Sequence, residues 1–325
     1  MALPVGLGRL TLLVAVVLAP LVAIALTPPA ELLGPAVLGA IATAGSIRRG
    51  APAMWRMAVS SGIITVLGVA AAATGPWLPV TGTLLVVAAS LATSALPKVG
   101  LASSGGMVVT SGALLLIKPV TIPVDAAGPW AAAVISGLIV GGATAWIAGL
   151  LSIVIRGRDL PRPELPMPTV PYSALLAVLA GGFTFISLIA FPDSNAWWSV
   201  LTVAIILQPT YDRLWSKLAA RVLGTVVGGV IAAALALVLP STATPAALGF
   251  LALAANVVLT VKGAPYWQSA SAVTVAVVML TFDSDALIAG DLQRVLITLL
   301  AAVVTALAVA AMSRFAGPGT RTPQG

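Results

Sequence analysis

The chain has 325 residues, of which 60% are hydrophobic and only 8% are charged, and its mean hydropathy is +1.12. Soluble domains carry roughly 25% charged residues, so this composition excludes an ordinary soluble fold. The chain contains no cysteine and no histidine, which excludes a disulfide framework, a Cys or His metal site, a Cys nucleophile and a Ser-His-Asp triad. We therefore expect no catalytic residues, no metal site and no cofactor.

Long apolar runs recur from end to end, most of them near the ~20 residues that cross a hydrocarbon layer. Lipid admits only helices or closed barrels, and the alternating ten-residue pattern of barrel strands is missing, so we predict an all-α integral membrane protein. We expect about twelve transmembrane helices, or ten if the two shortest runs are re-entrant. The predicted segments are 9–26, 32–47, 57–74, 80–96, 100–117, 129–155, 172–191, 196–209, 221–239, 245–261, 266–282 and 291–313.

A proline-rich stretch separates the first six segments from the last six. Proline has no N–H donor and disrupts a helix, so this stretch predicts a linker. The two halves align at a constant offset, which pairs Pro28 with Pro192, Arg49 with Arg213, Pro76 with Pro240 and Lys98 with Lys262. Such matches at equal places in the helix order indicate an internal duplication. We expect two parallel six-helix repeats, 1–156 and 172–314, a linker 157–171 and a tail 315–325.

The cations predict the orientation. Only Lys118 and Arg294, of the sixteen lysines and arginines, fall on the side away from the linker. The positive-inside rule then places the linker and both termini in the cytoplasm, in a multi-pass cell-membrane protein. The sequence pI is near 10.6, but the cations lie in short loops, which favours membrane lipids and not nucleic acid as partners. Segment 9–26 resembles a signal peptide, yet the repeat needs it, so we expect it to be retained.

The stretch Trp197–Gly229, WWSVLTVAIILQPTYDRLWSKLAARVLGTVVGG, combines an aromatic-rich helix ending in Gln-Pro, a basic loop and an Arg-x-x-Gly-Thr-x-x-Gly helix start. This pattern resembles the signature of the fusaric acid resistance family, also called aromatic acid exporters, from Tyr172 to Pro240. The matching positions are Trp198, Leu201, Thr202, Gln208, Pro209, Arg221, Gly224, Thr225 and Gly228.

The resemblance implies export of aromatic or other organic acids, by a fold similar to that of plant malate channels. Those channels are dimers of six-helix subunits, and a twelve-helix chain would be the fused equivalent. The implied substrate is a small organic anion, and a homo-oligomer is a further partner to consider.

The basic residues Arg213, Lys217 and Arg221 are spaced four apart, which places them on one face of a helix. We predict that the helix before them stops at Gln208, since proline disfavours the α conformation of the preceding residue. The basic stretch is then expected to lie along the membrane interface and to anchor the topology. Arg221 borders the glycine-rich helix, where it either attracts an anion or extends its head to the interface.

Five further polar residues are candidates for substrate binding. Lys98 and Lys262, each the only cation of a tight turn, either mark the two sides of one cytoplasmic entrance or are anchors at helix ends. Asn256 and Gln268 form interhelical hydrogen bonds or line the pathway. Arg294 either pairs with Asp291, three residues before it, or contributes to the pathway.

Small residues predict where helices pack closely in lipid. Gly224 and Gly228 form one such pair, and Gly137 and Gly141 another. By contrast, no predicted helix carries an acid near its middle, so a built-in proton relay is not expected.

The sequence thus predicts a transporter or channel that exports organic, chiefly aromatic carboxylic, anions, and not an enzyme. Two alternatives stay open: a major-facilitator-like transporter of another small molecule, and a non-transporting membrane scaffold.

Overall fold

A computed structural model gives the fold. It describes residues 7–27, 30–93, 101–120, 128–154, 169–207, 214–238, 244–281 and 287–315. The described residues leave out most of the linker and the tail. They also leave out six of the residues singled out above, namely Pro28, Lys98, Gln208, Pro209, Arg213 and Pro240.

The described residues form twelve α-helices and no strand, which confirms the all-α class. The helices are α1 (Leu7–Leu26), α2 (Leu33–Gly45), α3 (Ala51–Ala72), α4 (Leu78–Ala92), α5 (Ala102–Ile117), α6 (Gly128–Val154), α7 (Thr169–Ala190), α8 (Trp197–Ile206), α9 (Leu214–Val238), α10 (Thr244–Val261), α11 (Tyr266–Thr281) and α12 (Leu287–Phe315). Short 3-10 segments at Ala30–Leu32, Ile47–Arg49 and Gly75–Trp77 precede α2, α3 and α4.

Six of these helices are long and apolar enough to cross a membrane. The chain is therefore a multi-pass membrane protein, while the twelve crossings and the two-repeat arrangement stay predictions. The six spans are Ala51–Ala72, Gly75–Ala92, Gly128–Val154, Tyr172–Ala190, Trp215–Leu235 and Gln293–Ala311.

The basic stretch after α8 does not fold as expected. Helix α8 ends at Ile206, and Leu207 is extended with ψ 105°, so the predicted stop before the Gln-Pro pair is confirmed. The expected start of the next helix at 221 is wrong, because Leu214–Ala220 form the first turns of the continuous 25-residue helix α9. The position of the basic stretch at the membrane interface stays a prediction. Polar residues in the first turns of a spanning helix lie near the membrane surface, where they need no separate element.

The two shortest central helices, α2 with 13 residues and α8 with 10, are enclosed by the rest of the protein. Nine of the ten residues of α8 are buried. A helix that is apolar all round belongs in a core. One cluster of buried side chains joins both halves here, including Leu38, Leu116, Trp198 and Val203.

Packing pairs recur between the halves. Helix α3 packs against α6, and α9 packs against α12; α4 packs against α7, and α1 packs against α10. Under the predicted duplication, each second pair is the counterpart of the first. These pairings support the two-repeat prediction without measuring the rotation that relates the halves.

Glycines bring two helix pairs into close contact. A Cβ at Gly141 of α6 would lie 3.3 Å from the Gly62 Cα of α3, and a Cβ at Gly137 would lie 3.0 Å from the Gly62 oxygen. In the second half, a Cβ at Gly224 of α9 would lie 2.5 Å from the Ala270 Cβ, and one at Gly228 would lie 2.6 Å from the Ser271 oxygen, both in α11.

Candidate functional site: two buried arginines at a cavity between the halves

A cavity of about 770 Å³ lies between the two halves. It follows the whole length of α2, from Ala30 before the helix to Gly45 at its end, which is about 20 Å at 1.5 Å per residue. Helices α8, α9, α10 and α11 form the facing wall. Its polar and charged lining residues are Glu31, Lys118, Asn195, Arg221, Asn256, Thr260, Tyr266 and Ser269.

Trp198 in α8 lies between the two arginines of the site. Its indole stacks on Trp197, with ring centroids 4.3 Å apart. The guanidinium carbon of Arg221 lies 5.9 Å from the Trp198 ring centroid, and that of Arg294 lies 5.1 Å from it. The chain therefore brings two cations from α9 and α12 onto one aromatic ring.

Both arginines are deeply buried, with Arg221 2% exposed and Arg294 0% exposed. A charged side chain within the bilayer is expensive, and such residues usually mark a binding site or a path. The quadrupole of Trp198 offsets part of this cost, since a desolvated cation over indole gains about 2 kcal/mol. Nη1 of Arg294 also donates a hydrogen bond to the Thr274 carbonyl oxygen of α11, at 3.1 Å.

Of the two buried arginines, Arg221 is the one that lines the cavity. Its guanidinium lies beside the phenol of Tyr266, which also lines the cavity. Its Nε has no hydrogen-bond partner within the described ranges. The acids whose side chains the structure describes, Glu31 and Asp193, are both exposed and are not buried beside it. Arg221 thus presents a positive charge to the cavity, and no acid of the described residues is buried beside it.

The two ends of the cavity differ in charge. Glu31, Lys118 and Asn195 lie where α2 and α8 begin and α5 ends, so one mouth carries charges of both signs. If the predicted twelve helices alternate in direction across one layer, the α10–α11 turn lies at the opposite mouth. Asn256 and Tyr266 line the cavity towards that turn. The Asn256 amide has no hydrogen-bond partner among the described residues and is free to donate or accept.

The predicted site residues separate into groups. Arg221 and Asn256 line the cavity together, and Arg294 joins them through Trp198 without being a lining residue. Lys262 is exposed in the adjoining turn. Gln268 lines a different groove. Sequence reasoning missed Tyr266, although it is one of only three tyrosines and begins a polar helix.

Fold and site together define a multi-pass helical membrane protein with a cationic cavity between two halves. Residues 172–310 match the family model described as fusaric acid resistance protein-like. The match confirms the resemblance for the second half of the chain and indicates a membrane transporter or exporter. Neither a curated protein nor a solved structure matches the chain.

Proposed function

We propose that the chain exports organic anions, chiefly aromatic carboxylates, through the cavity, with Arg221 as the residue that binds the carboxylate. The observation that carries this proposal is the buried charge of Arg221 on the wall of a cavity of about 770 Å³, with no acid of the described residues buried beside it. A planar guanidinium binds a carboxylate through two parallel hydrogen bonds.

The other residues that line the cavity complement the aromatic and apolar part of such a substrate. Trp197 and Trp198 offer aromatic surface beside the guanidinium, while Leu38 and Ile41 of α2 form an apolar facing wall. Ligand sites are typically apolar with a few convergent polar groups. Asn256 and Tyr266 supply those groups near Arg221.

The two alternatives fit the site less well. A scaffold has no need of a buried cation at a cavity, because an unmatched charge only destabilises it. A transporter of neutral solutes would likewise leave Arg221 without a counter-ion in its loaded state.

Transport in proteoliposomes tests the proposal. The wild-type chain is expected to move aromatic carboxylates faster than neutral analogues of the same size. Arg221→Gln removes the charge-assisted hydrogen bonds and is expected to lower uptake roughly tenfold or more.

Arg56→Gln is the matched control, because Arg56 is exposed at the start of α3 and does not line the cavity. Its uptake is expected to stay at the wild-type rate. Equal rates in the wild type and in the folded Arg221→Gln variant would show that the anion does not pass Arg221.

A further inference from the structure

A second groove, of about 380 Å³, lies on the membrane-facing surface of the second half. Helices α9 and α10 both pack against α11, and the groove runs between them with α11 as its floor. Neighbouring side chains point outward, with Val230 65% and Leu251 64% exposed. The groove residues are Val227, Ile231, Ala252, Ala255, Leu259, Trp267, Gln268, Ser271, Ala272 and Val275.

The groove changes character along its length. Trp267 and Gln268 lie at one end, next to the α10–α11 turn, where Lys262 is exposed. Ile231 and Val275 lie towards the other end, where the walls are apolar. The nine residues from Trp267 to Val275 span about 12 Å of helix, which is most of the ~15 Å hydrocarbon depth of one leaflet.

The side chain of Gln268 points to the kind of ligand. It is half-buried, and its amide has no hydrogen-bond partner among the described residues. The other polar side chain of the groove is already satisfied, since Ser271 Oγ donates to the Trp267 carbonyl oxygen at 2.9 Å. An amide that faces lipid without a partner is costly. A ligand with polar atoms at this end and an apolar body removes that cost.

We propose that this groove binds one anionic phospholipid of the leaflet that borders the α10–α11 turn. Its acyl chain lies along Ala255 and Ala252, its ester oxygens meet the Gln268 amide, and its headgroup lies near Lys262. The positive charge of Lys262 complements the headgroup. A whole helix of a second copy, about 10 Å across, does not fit within 380 Å³ over this length.

The bound lipid would contact the same two helices that line the anion cavity. Asn256 of α10 and Ser269 of α11 line the cavity, whereas Ala255 and Gln268, their chain neighbours, line the groove. The lipid site does not depend on the proposed transport function, because it rests on the groove alone.

Native mass spectrometry of the full chain tests the proposal, with phosphatidylglycerol and phosphatidylcholine of identical acyl chains as probes. One tightly retained lipid per chain is expected, with phosphatidylglycerol preferred about fivefold, the effect of one basic residue near an anionic headgroup. Lys262→Gln is expected to abolish that preference while the lipid stays bound. Ala255→Phe fills the groove and is expected to remove the retained lipid.

Leu251→Phe is the matched control, because Leu251 is equally exposed to lipid but does not line the groove. It is expected to keep wild-type binding. The proposal is overturned if no lipid is retained, if both lipids bind equally well, or if Ala255→Phe behaves like Leu251→Phe. A cysteine at Ala255 that cross-links two chains would also overturn it, because a second copy would then cover the groove.

Discussion

Arg221 and Arg294 share the Trp198 ring but stand in different relations to the cavity. Arg221 lines it, whereas Arg294 lies fully buried against the same ring and donates to the backbone of α11. We infer that Arg221 contacts the anion directly and that Arg294 acts through Trp198, by orienting the ring and adding to the positive potential. If the roles divide in this way, replacing Arg294 is expected to affect transport more than thermal stability.

Arg294→Met provides the first test. Methionine has a similar length and avoids the cost of a buried charge, but it removes the donor to the Thr274 carbonyl oxygen, so thermal stability is expected to change by no more than about 1–2 kcal/mol. Transport is expected to fall, since the potential at the cavity decreases and Trp198 loses a cation–π partner worth about 2 kcal/mol. Thermal unfolding in detergent and uptake in proteoliposomes measure the two effects.

Arg294→Lys keeps the charge but not the planar guanidinium, and is expected to restore part of the transport. The opposite outcome, a large loss of thermal stability in Arg294→Met with transport lowered only in proportion to folded protein, would make Arg294 a structural residue.

At the level of helices, the packing of α9 on α11 depends on two glycines. In Gly224→Ala the new Cβ would meet the Ala270 Cβ at 2.5 Å and the Trp267 oxygen at 2.7 Å. Backbone atoms cannot move aside as a flexible side chain can, so α9 must shift away from α11. Overpacking of this kind costs about 1–3 kcal/mol, and Gly228→Ala is expected to behave similarly.

Gly142→Ala is the control for this prediction. Gly142 is exposed within α6, and a Cβ there would meet nothing within 4 Å. Its replacement is expected to be neutral or to stabilise by up to about 1 kcal/mol through helix propensity. If melting temperatures of Gly224→Ala and Gly142→Ala change alike, the α9–α11 contact is looser than the structure shows.

The helices themselves could be predicted from the sequence, because each apolar run must either bury its surface in the protein core or span the membrane. Most predicted segments overlap their helices closely; α10, for example, was expected at 245–261 and spans Thr244–Val261. The start of α9 could not be predicted from the sequence, because Lys217 and Arg221 interrupt the apolar pattern although the helix continues through them. The contact of Arg221 and Arg294 with the Trp198 ring could not be predicted either, since it depends on how α8, α9 and α12 pack.

At the scale of the whole molecule, the predicted duplication has a measurable geometry. In an experimentally determined structure, 1–156 are expected to superpose on 172–314 by a rotation near 180° about the membrane normal, because six helices per repeat return the chain to its starting side. An in-plane axis, or no common rotation, would contradict the duplication.

The two halves nevertheless differ at the site. At the offset that aligns Lys98 with Lys262, Arg221 falls on Met57 and Trp198 falls on Gly34. Met57 is a buried core residue, and a Cβ at Gly34 would lie 2.8 Å from a Leu114 methyl. At these described positions the counterparts of the cation and its ring are replaced by apolar packing, so we expect one such anion site per chain and not two.

The shortness of α8 has an electrical consequence. Ten residues span only about 15 Å, half of the ~30 Å hydrocarbon thickness. If the proposed anion route lies along α8, we expect the membrane potential to fall mainly across the protein around this helix. One elementary charge that crosses 100 mV changes in free energy by about 2.3 kcal/mol. An interior-negative potential would therefore drive a monovalent anion outward by about fortyfold at equilibrium, and we expect the proposed export to need no coupling ion. Potassium diffusion potentials set with valinomycin in proteoliposomes should accelerate anion efflux in this direction, whereas a flux that ignores the imposed potential would indicate electroneutral exchange.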